Sequence, residues 1–171
     1  MKAAGVVLAI LLALVLQTTI GRFVTRGAGA IDLVLVVTVY AALVSGPATG
    51  LLAGALGGLV QDALSLSSGV IGIGGLAKTI VGFSAGIVGT QFIVAQPLPR
   101  FVVFFGATIV HSAVFVGLYV LLDLRQFGTP YAAVAAQAAG NAVVGVLAFQ
   151  VAGLLPGAFE RRKATQGKAR R

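Results

Sequence analysis

The chain has little of the chemistry that enzymes and metal proteins use. Its 171 residues include no cysteine, one histidine and four acidic residues. Without cysteine there is no disulfide framework, no thiolate nucleophile and no cysteine-ligated cluster. One histidine and four scattered acids do not supply a dedicated metal site, and neither a dinucleotide glycine fingerprint nor a Walker lysine motif is present. We therefore expect a protein that is not an enzyme and that holds no cofactor and no metal.

Charge of either sign is also scarce. Only 9% of the residues are charged and 58% are hydrophobic, whereas a soluble domain usually carries about 25% charged residues. Such a chain cannot cover itself with a water-facing surface. Because a membrane-spanning helix takes about 20 residues, six of them would use most of the chain. The composition predicts an all-α, polytopic membrane protein.

Six apolar runs are separated by turn-forming or charged stretches. They predict transmembrane helices over about 3–20, 31–45, 48–64, 70–94, 101–122 and 131–155. The first run is longer than a signal-peptide core and lacks a clear cleavage site, so we expect it to be retained. The fourth begins glycine-rich, which predicts an irregular or re-entrant start because glycine costs about 1 kcal/mol in a helix interior. Residues 1–156 then form one transmembrane domain and 157–171 a basic tail.

The distribution of basic residues predicts the orientation. An even number of spans puts both termini on one side, and Lys2, Arg100 and the six tail bases place more positive charge there than lies opposite. The opposite side receives Arg22, Arg26, Arg125 and Lys78. Both termini are therefore expected in the cytoplasm. The tail is expected to contact anionic lipid and not nucleic acid; its bases are Arg161, Arg162, Lys163, Lys168, Arg170 and Arg171.

Small residues recur every four positions in two of the spans. Because close backbone approach drives helix association in lipid, these rows predict either packing within the protein or a face for a partner. Packing within the protein is the favoured interpretation. The row in span three is Gly46, Gly50, Gly54 and Gly58, and the weaker row in span one is Gly5, Ala9 and Ala13.

Two ionisable residues fall where membrane depth is expected. Asp62 ends span three and Lys78 lies inside span four, and charge at this depth is normally paired or turned to a cavity. We expect Asp62 and Lys78 to pair across the turn between these spans. Interfacial snorkelling is the alternative. A proton relay is disfavoured, because it would need further acids within the spans.

Four uncharged polar residues also fall within or at the end of predicted spans: Gln61, His111, Gln137 and Asn141. The favoured interpretation of the last three is hydrogen bonding between helices. A proton-carrying role for His111 and a contact between a substrate amide and Gln137 or Asn141 remain open.

Several ordered motifs resemble one family. They are residues 32–37 (Asp-Leu-Val-Leu-Val-Val), 41–46 (Ala-Ala-Leu-Val-Ser-Gly), 57–62 (Gly-Gly-Leu-Val-Gln-Asp) and 82–86 (Gly-Phe-Ser-Ala-Gly), with Asn141 in the last span. In this order they resemble the rod shape-determining protein MreD family over residues 1–156. Two features depart from the family: Ala30-Ile31 stands where a proline often precedes the second span, and the basic tail is longer than the family requires.

The resemblance implies a non-enzymatic scaffold of the bacterial cell-elongation complex, located in the bacterial inner membrane. Such a protein binds MreC and works with MreB, RodA and a class B penicillin-binding transpeptidase in lateral peptidoglycan synthesis and rod-shape maintenance. The family is similar in fold to the substrate-binding components of energy-coupling-factor transporters. We hypothesise that one small-residue row docks the transmembrane helix of MreC and that Asp62 with Lys78 fixes spans three and four.

Two other classes of protein are alternatives to the scaffold. One is the substrate-binding component of a vitamin-type transporter, because Ala9 and Ala13 fit the small-residue row with which such components meet their energising module. That class needs several convergent polar or aromatic groups around a ligand, and the sequence offers few. A membrane enzyme is the least favoured class, because the chain lacks a paired nucleophile and base.

Overall fold

In the computed structural model the described residues are 3–23, 31–65, 70–92, 96–124 and 131–154, and over these ranges the chain forms six α-helices and no strand. The all-α class is confirmed. The helices are α1 (Ala3–Phe23), α2 (Leu33–Ser45), α3 (Pro47–Leu64), α4 (Ile73–Gln91), α5 (Pro97–Leu121) and α6 (Tyr131–Leu154). The basic tail and its predicted lipid contacts lie outside the described residues.

Helices α2 and α3 form a tight hairpin, since Gly46 alone separates them. Gly46 has φ +90°, a conformation that favours glycine. Pro47 follows in the first turn of α3, where proline's missing N–H removes no helical hydrogen bond and its fixed φ suits the helix. This pair of residues reverses the chain.

The start of α5 differs most from the sequence prediction. Helix α5 starts at Pro97, four residues before the predicted start at Phe101. The sequence prediction leaves Pro97 and Pro99 between two spans, but prolines at the first helical positions are compatible with a helix. Residues 70–72 are not helical, in agreement with the irregular start expected for the fourth segment, and Gly72, with φ +113°, precedes the start of α4 at Ile73.

Three helices of the described part, α4, α5 and α6, are long and apolar enough to cross a membrane. Helices α1 and α2 contribute shorter apolar stretches, Ala3–Thr19 and Leu33–Ser45. Large apolar side chains also lie on the outside of the bundle, including Leu8 and Leu52, each 59% exposed, and Val102, 60% exposed. An apolar exterior of this kind is what a helical membrane protein presents to lipid.

Helix α2 occupies the centre of the bundle and contacts each of the other five helices. On one side it packs with α1 and α3 through a cluster that includes Ile10, Val34 and Ala53. On the other it packs with α4, α5 and α6 through a cluster that includes Val39 and Phe104. A short, central helix therefore joins two apolar cores.

Candidate functional site

The glycine row of α3 is buried against α4. A methyl group on Gly50 would meet backbone atoms of Gly82, and one on Gly54 would meet the backbone of Lys78. A methyl group on Gly58 would lie within 3 Å of the backbone of Gly75. These contacts pair the two helices antiparallel at backbone distance. The row is therefore closed by α4, and the hypothesis that it docks a partner helix is wrong.

Gly46, the first member of the predicted row, lies at the end of this packing. A methyl group on Gly46 would meet no atom within 4 Å, but one on Gly86 of α4 would lie within 3 Å of backbone atoms of Pro47 and Gly46. Gly46 also serves the hairpin through its backbone conformation. Gly57, which is outside the row, faces the opposite way and lies against Val34 and Ile10. Helix α3 thus has small residues on two faces, one for α4 and one for α1 and α2.

The small-residue row of α1 does not form one face either. Gly5 is exposed and Ala9 is half-buried, while Ala13 is only 3% exposed and belongs to the core shared with α2 and α3. A four-residue spacing drifts about 40° per step around a helix of 3.6 residues per turn. The drift carries the row from the outside of α1 to its packed side.

Lys78 pairs with Asp32 and not with Asp62. The distance from Lys78 Nζ to Asp32 Oδ2 is 2.8 Å, and the two residues are only 3% and 5% exposed. The predicted Asp62–Lys78 pair is therefore wrong. Lys78 lies beside Gly54 of α3, eight positions before Asp62. Its side chain reaches Asp32 at the N-terminus of α2.

Asp62 instead caps the start of α4. Its Oδ2 accepts hydrogen bonds from the backbone N–H groups of Gly72 at 2.9 Å and Gly75 at 3.1 Å. The first N–H groups of a helix have no partner within the helix, and a carboxylate there also stabilises the helix dipole. A side chain on Gly74 would collide with this carboxylate. Beside it, Gln61 Oε1 is buried and has no hydrogen-bond partner among the described residues.

The start of α2 is capped by its own Asp32 and by a side chain of α6. Leu35 N–H donates to Asp32 Oδ1 at 3.0 Å, and Asp32 N–H donates to Asn141 Oδ1 at 2.8 Å. Asn141 Nδ2 in turn donates to Thr108 Oγ1 of α5 at 3.1 Å. The amide of Asn141, which is 1% exposed, therefore links three helices.

Helix α1 completes this cap. Leu33 N–H donates to Gln17 Oε1 at 2.9 Å. Helix α2 begins among other helices, where unpaired N–H groups carry a large free-energy cost. Side chains from α1 and α6 satisfy two of them. Gln137, one turn before Asn141 on α6, is half-buried.

His111 extends the polar cluster to α5. Its Nε2 lies 3.2 Å from Lys78 Nζ, and the histidine is 8% exposed. Since a lysine ammonium can only donate, Nε2 accepts this hydrogen bond and the proton of the neutral ring resides on Nδ1. We call Asp32, Lys78, His111, Asn141 and Thr108 the polar cluster.

The polar cluster lies at mid-length of α5 and α6. Ten residues separate Tyr131, the start of α6, from Asn141, and ten separate His111 from Leu121, the end of α5. At 1.5 Å per residue each distance is roughly 15 Å. Helix α2 therefore begins at about mid-length of the α5–α6 pair. The ion pair between Asp32 and Lys78 lies at the same level.

A second buried cation lies near the N-terminal end of α5. Arg100, 9% exposed, places its guanidinium carbon 4.4 Å from the ring centroid of Phe149 of α6. The ring of Tyr40 of α2 lies 4.5 Å from the same phenyl ring. A cation over an aromatic face is attracted by the ring quadrupole. The sequence indicates Arg100 only as a basic residue for orientation, because nothing in the spacing of Arg100, Tyr40 and Phe149 predicts this contact.

A cavity of about 220 Å³ lies between α4 and α5. Its lining is apolar except for Ser84, and it consists of Val81, Ser84, Ala85, Val88, Val102, Val103, Gly106, Ala107 and Val110. A ligand pocket usually offers several convergent polar groups. Among the residues that the structure describes, no three His, Asp or Glu side chains group as a metal site.

Fold and site together define an all-helical, apolar protein whose buried charges bond to one another and to helix ends. No protein-family model matches the chain, and no curated protein or solved structure matches it.

Proposed function

We propose that this chain is a non-enzymatic membrane scaffold of the MreD type, which supports lateral peptidoglycan synthesis in the bacterial cell-elongation complex. The observation that carries the proposal is the use of the buried charges. Asp32 and Lys78 bond to each other, and Asn141 bonds to the α2 N-terminus. Polar groups engaged in this way hold helices together and leave apolar helix faces as the surfaces for recognition. The ordered motifs described above supply the family.

The proposal includes six membrane crossings and a fold like that of energy-coupling-factor substrate-binding components. In this arrangement both termini lie in the cytoplasm, because successive helices alternate in direction and most of the basic residues then lie on the cytoplasmic side. The polar cluster then lies near the bilayer centre. Charge at that depth is costly unless paired, which agrees with the 2.8 Å contact between Lys78 and Asp32.

The proposed partner is a bitopic protein of the MreC type, which assembles with MreB, RodA and a class B penicillin-binding transpeptidase. With the glycine row of α3 closed by α4, the partner helix has to use an outer face. The outer face of α1 exposes Leu8 and Leu12, and that of α3 exposes Leu52 and Leu56. These two faces replace the small-residue rows as the candidates.

Site-specific photo-cross-linking in native membranes tests the proposal. A photoreactive residue is placed at Leu8, Leu12, Leu52 or Leu56, which are exposed, and at Ala53, which is 2% exposed and serves as the buried control. We expect a bitopic elongation-complex protein to be captured from one outer face and not from Ala53. Capture of a transporter ATPase module, or of no elongation protein from either face, would reject the scaffold.

One observation favours the transporter alternative. Helix α2 begins inside the bundle, and discontinuous helices of transporters bind substrates at such helix ends. Here, however, the carboxylate of Asp32 occupies the position of an anionic ligand by accepting from Leu35 N–H. Ala13 is also buried in the core, so the row on α1 is not an exposed surface for an energising module. Binding of a vitamin-type ligand to the purified protein would restore this alternative.

A further inference from the structure

Helix α4 is held to α5 much less closely than to α3. Both helices line the cavity of about 220 Å³, with residues from 81–88 of α4 and from 102–110 of α5. A methyl group added to Gly106 of α5, at the cavity wall, would meet no atom within 4 Å. The polar contact that the structure describes between these helices is the hydrogen bond from Lys78 to His111.

This hydrogen bond depends on the charge of the imidazole. Lys78 donates to Nε2 at 3.2 Å, so that nitrogen must be without a proton. If the ring takes up a second proton, Nε2 becomes a donor and two cations face each other. The contact then changes from attractive to repulsive in a site where both side chains are less than 10% exposed.

The surroundings of His111 contain one compensating charge. Helix α5 packs against α2, α4 and α6. Helix α2 contributes Asp32, which is already paired with Lys78 at 2.8 Å, and α4 contributes Lys78 itself. The described part of α6 has no acidic residue and no lysine, arginine or histidine. On α5 the nearest other titratable group is Tyr119, two turns away, beyond Phe115.

We infer that the Lys78–His111 contact is a proton-operated lock between α4 and α5. Neutral His111 keeps the helices together beside the apolar cavity, and protonation of His111 releases α5 from α4. Helix α6 stays tied to α2 because Asn141 accepts from Asp32 N–H and does not titrate. The inference goes beyond the proposed scaffold role and does not depend on the identity of any partner.

Nuclear magnetic resonance of the imidazole nitrogens tests the closed state. The chain contains one histidine, so protein purified without a histidine tag and labelled with ¹⁵N-histidine reports on His111 alone. At about pH 8 we expect the neutral tautomer with the proton on Nδ1, and towards about pH 3 a protonated ring, because burial and the Lys78 cation both oppose a charge on the imidazole. A proton on Nε2 at the higher pH would overturn the inference, as would a ring that stays neutral throughout.

Distances between spin labels test the release. The cysteine-free chain accepts the pair Phe83→Cys and Ile109→Cys, which are exposed sites on α4 and α5. A longer distance should rise from at most about 10% of the population at about pH 8 to a majority at about pH 3. The reference pair Leu52→Cys with Phe83→Cys spans α3 and α4 and should not change.

The variant His111→Gln separates titration from structure. A glutamine carbonyl can accept from Lys78 but cannot take up the proton. We expect the closed distance at both pH values in this variant. An acid-induced change that persists in His111→Gln, or protonation of the wild-type ring without any change in distance, would overturn the lock. If the variant does not fold, the wild-type nitrogen signals and label distances still decide between these outcomes.

Discussion

The two sides of α4 are built by opposite means. Towards α3, glycines allow the two backbones to touch: Gly54 and Gly58 of α3 lie against the backbone of Lys78 and Gly75 of α4. Towards α5 it has a charged side chain that reaches His111 across 3.2 Å, beside a cavity of about 220 Å³. The first side depends on shape and tolerates no added atom, whereas the second depends on charge and has space. A change of shape should therefore harm the first side, and a change of charge the second.

The largest effect is expected from removing the negative charge of the polar cluster. Asp32→Asn keeps a side-chain oxygen for Leu35 N–H but leaves Lys78 buried without its counter-ion. Breaking a buried ion pair from one side typically costs about 3–5 kcal/mol. Thermal or denaturant unfolding in detergent should show this loss. The double variant Asp32→Asn with Lys78→Met should recover a large part of it, and no recovery would argue against the pair.

The next effect concerns the glycine side. In Gly54→Ala the added methyl group collides with the backbone of Lys78, and overpacking of this kind costs about 1–3 kcal/mol. The same unfolding measurement applies. A variant as stable as the wild type would mean that α3 and α4 are not packed at backbone distance.

A smaller effect is expected at the start of α4. Asp62→Ala removes the acceptor for Gly72 and Gly75 N–H groups, and loss of a helix cap costs about 1 kcal/mol. If Asp62 were instead the partner of Lys78, its removal would cost as much as that of Asp32. Equal losses for Asp62→Ala and Asp32→Asn would thus contradict the assignment of the ion pair.

The smallest effect, of opposite sign, is expected on the open side. Gly106→Ala is the matched control for Gly54→Ala, because its methyl group meets no atom within 4 Å. Alanine is favoured over glycine in a helix interior by up to about 1 kcal/mol. The variant should be slightly more stable than the wild type. Marked destabilisation would show that α4 and α5 are packed more closely than described.

The sequence predicted the glycine contacts better than the charge contacts. A four-residue spacing of glycine follows directly from helix geometry, and the pattern Gly50, Gly54 and Gly58 does pack helix against helix. Lys78 was also identified correctly as an ionisable residue within a helix. Its partner was not, because the prediction used nearness along the chain. The true partner, Asp32, lies 46 positions earlier and is brought close by tertiary packing.

The position of the polar cluster along the helices could not be predicted from the sequence either. Asp32 reads as the polar start of a span at the membrane surface, and a prediction from hydropathy gives no relative height for neighbouring helices. The height is set by contacts such as Asn141 with the Asp32 N–H group. The position of Arg100 in the first turn of α5 is also missed from the sequence. The two prolines near it, Pro97 and Pro99, suggest an interruption between helices and not the start of one.

The cap on α2 has a consequence for biosynthesis. Asn141 follows Asp32 by 109 residues, so a ribosome adding about 5–20 residues per second needs roughly 5–20 s to deliver it. Lys78 follows Asp32 by 46 residues, so for about the first two fifths of that interval the nascent α2 lacks both Lys78 and Asn141, and for the rest it lacks Asn141. In the proposed six-span arrangement, a lone α2 is thus poorly suited to enter lipid by itself. Insertion of this helix should be completed late, when α6 leaves the translocon.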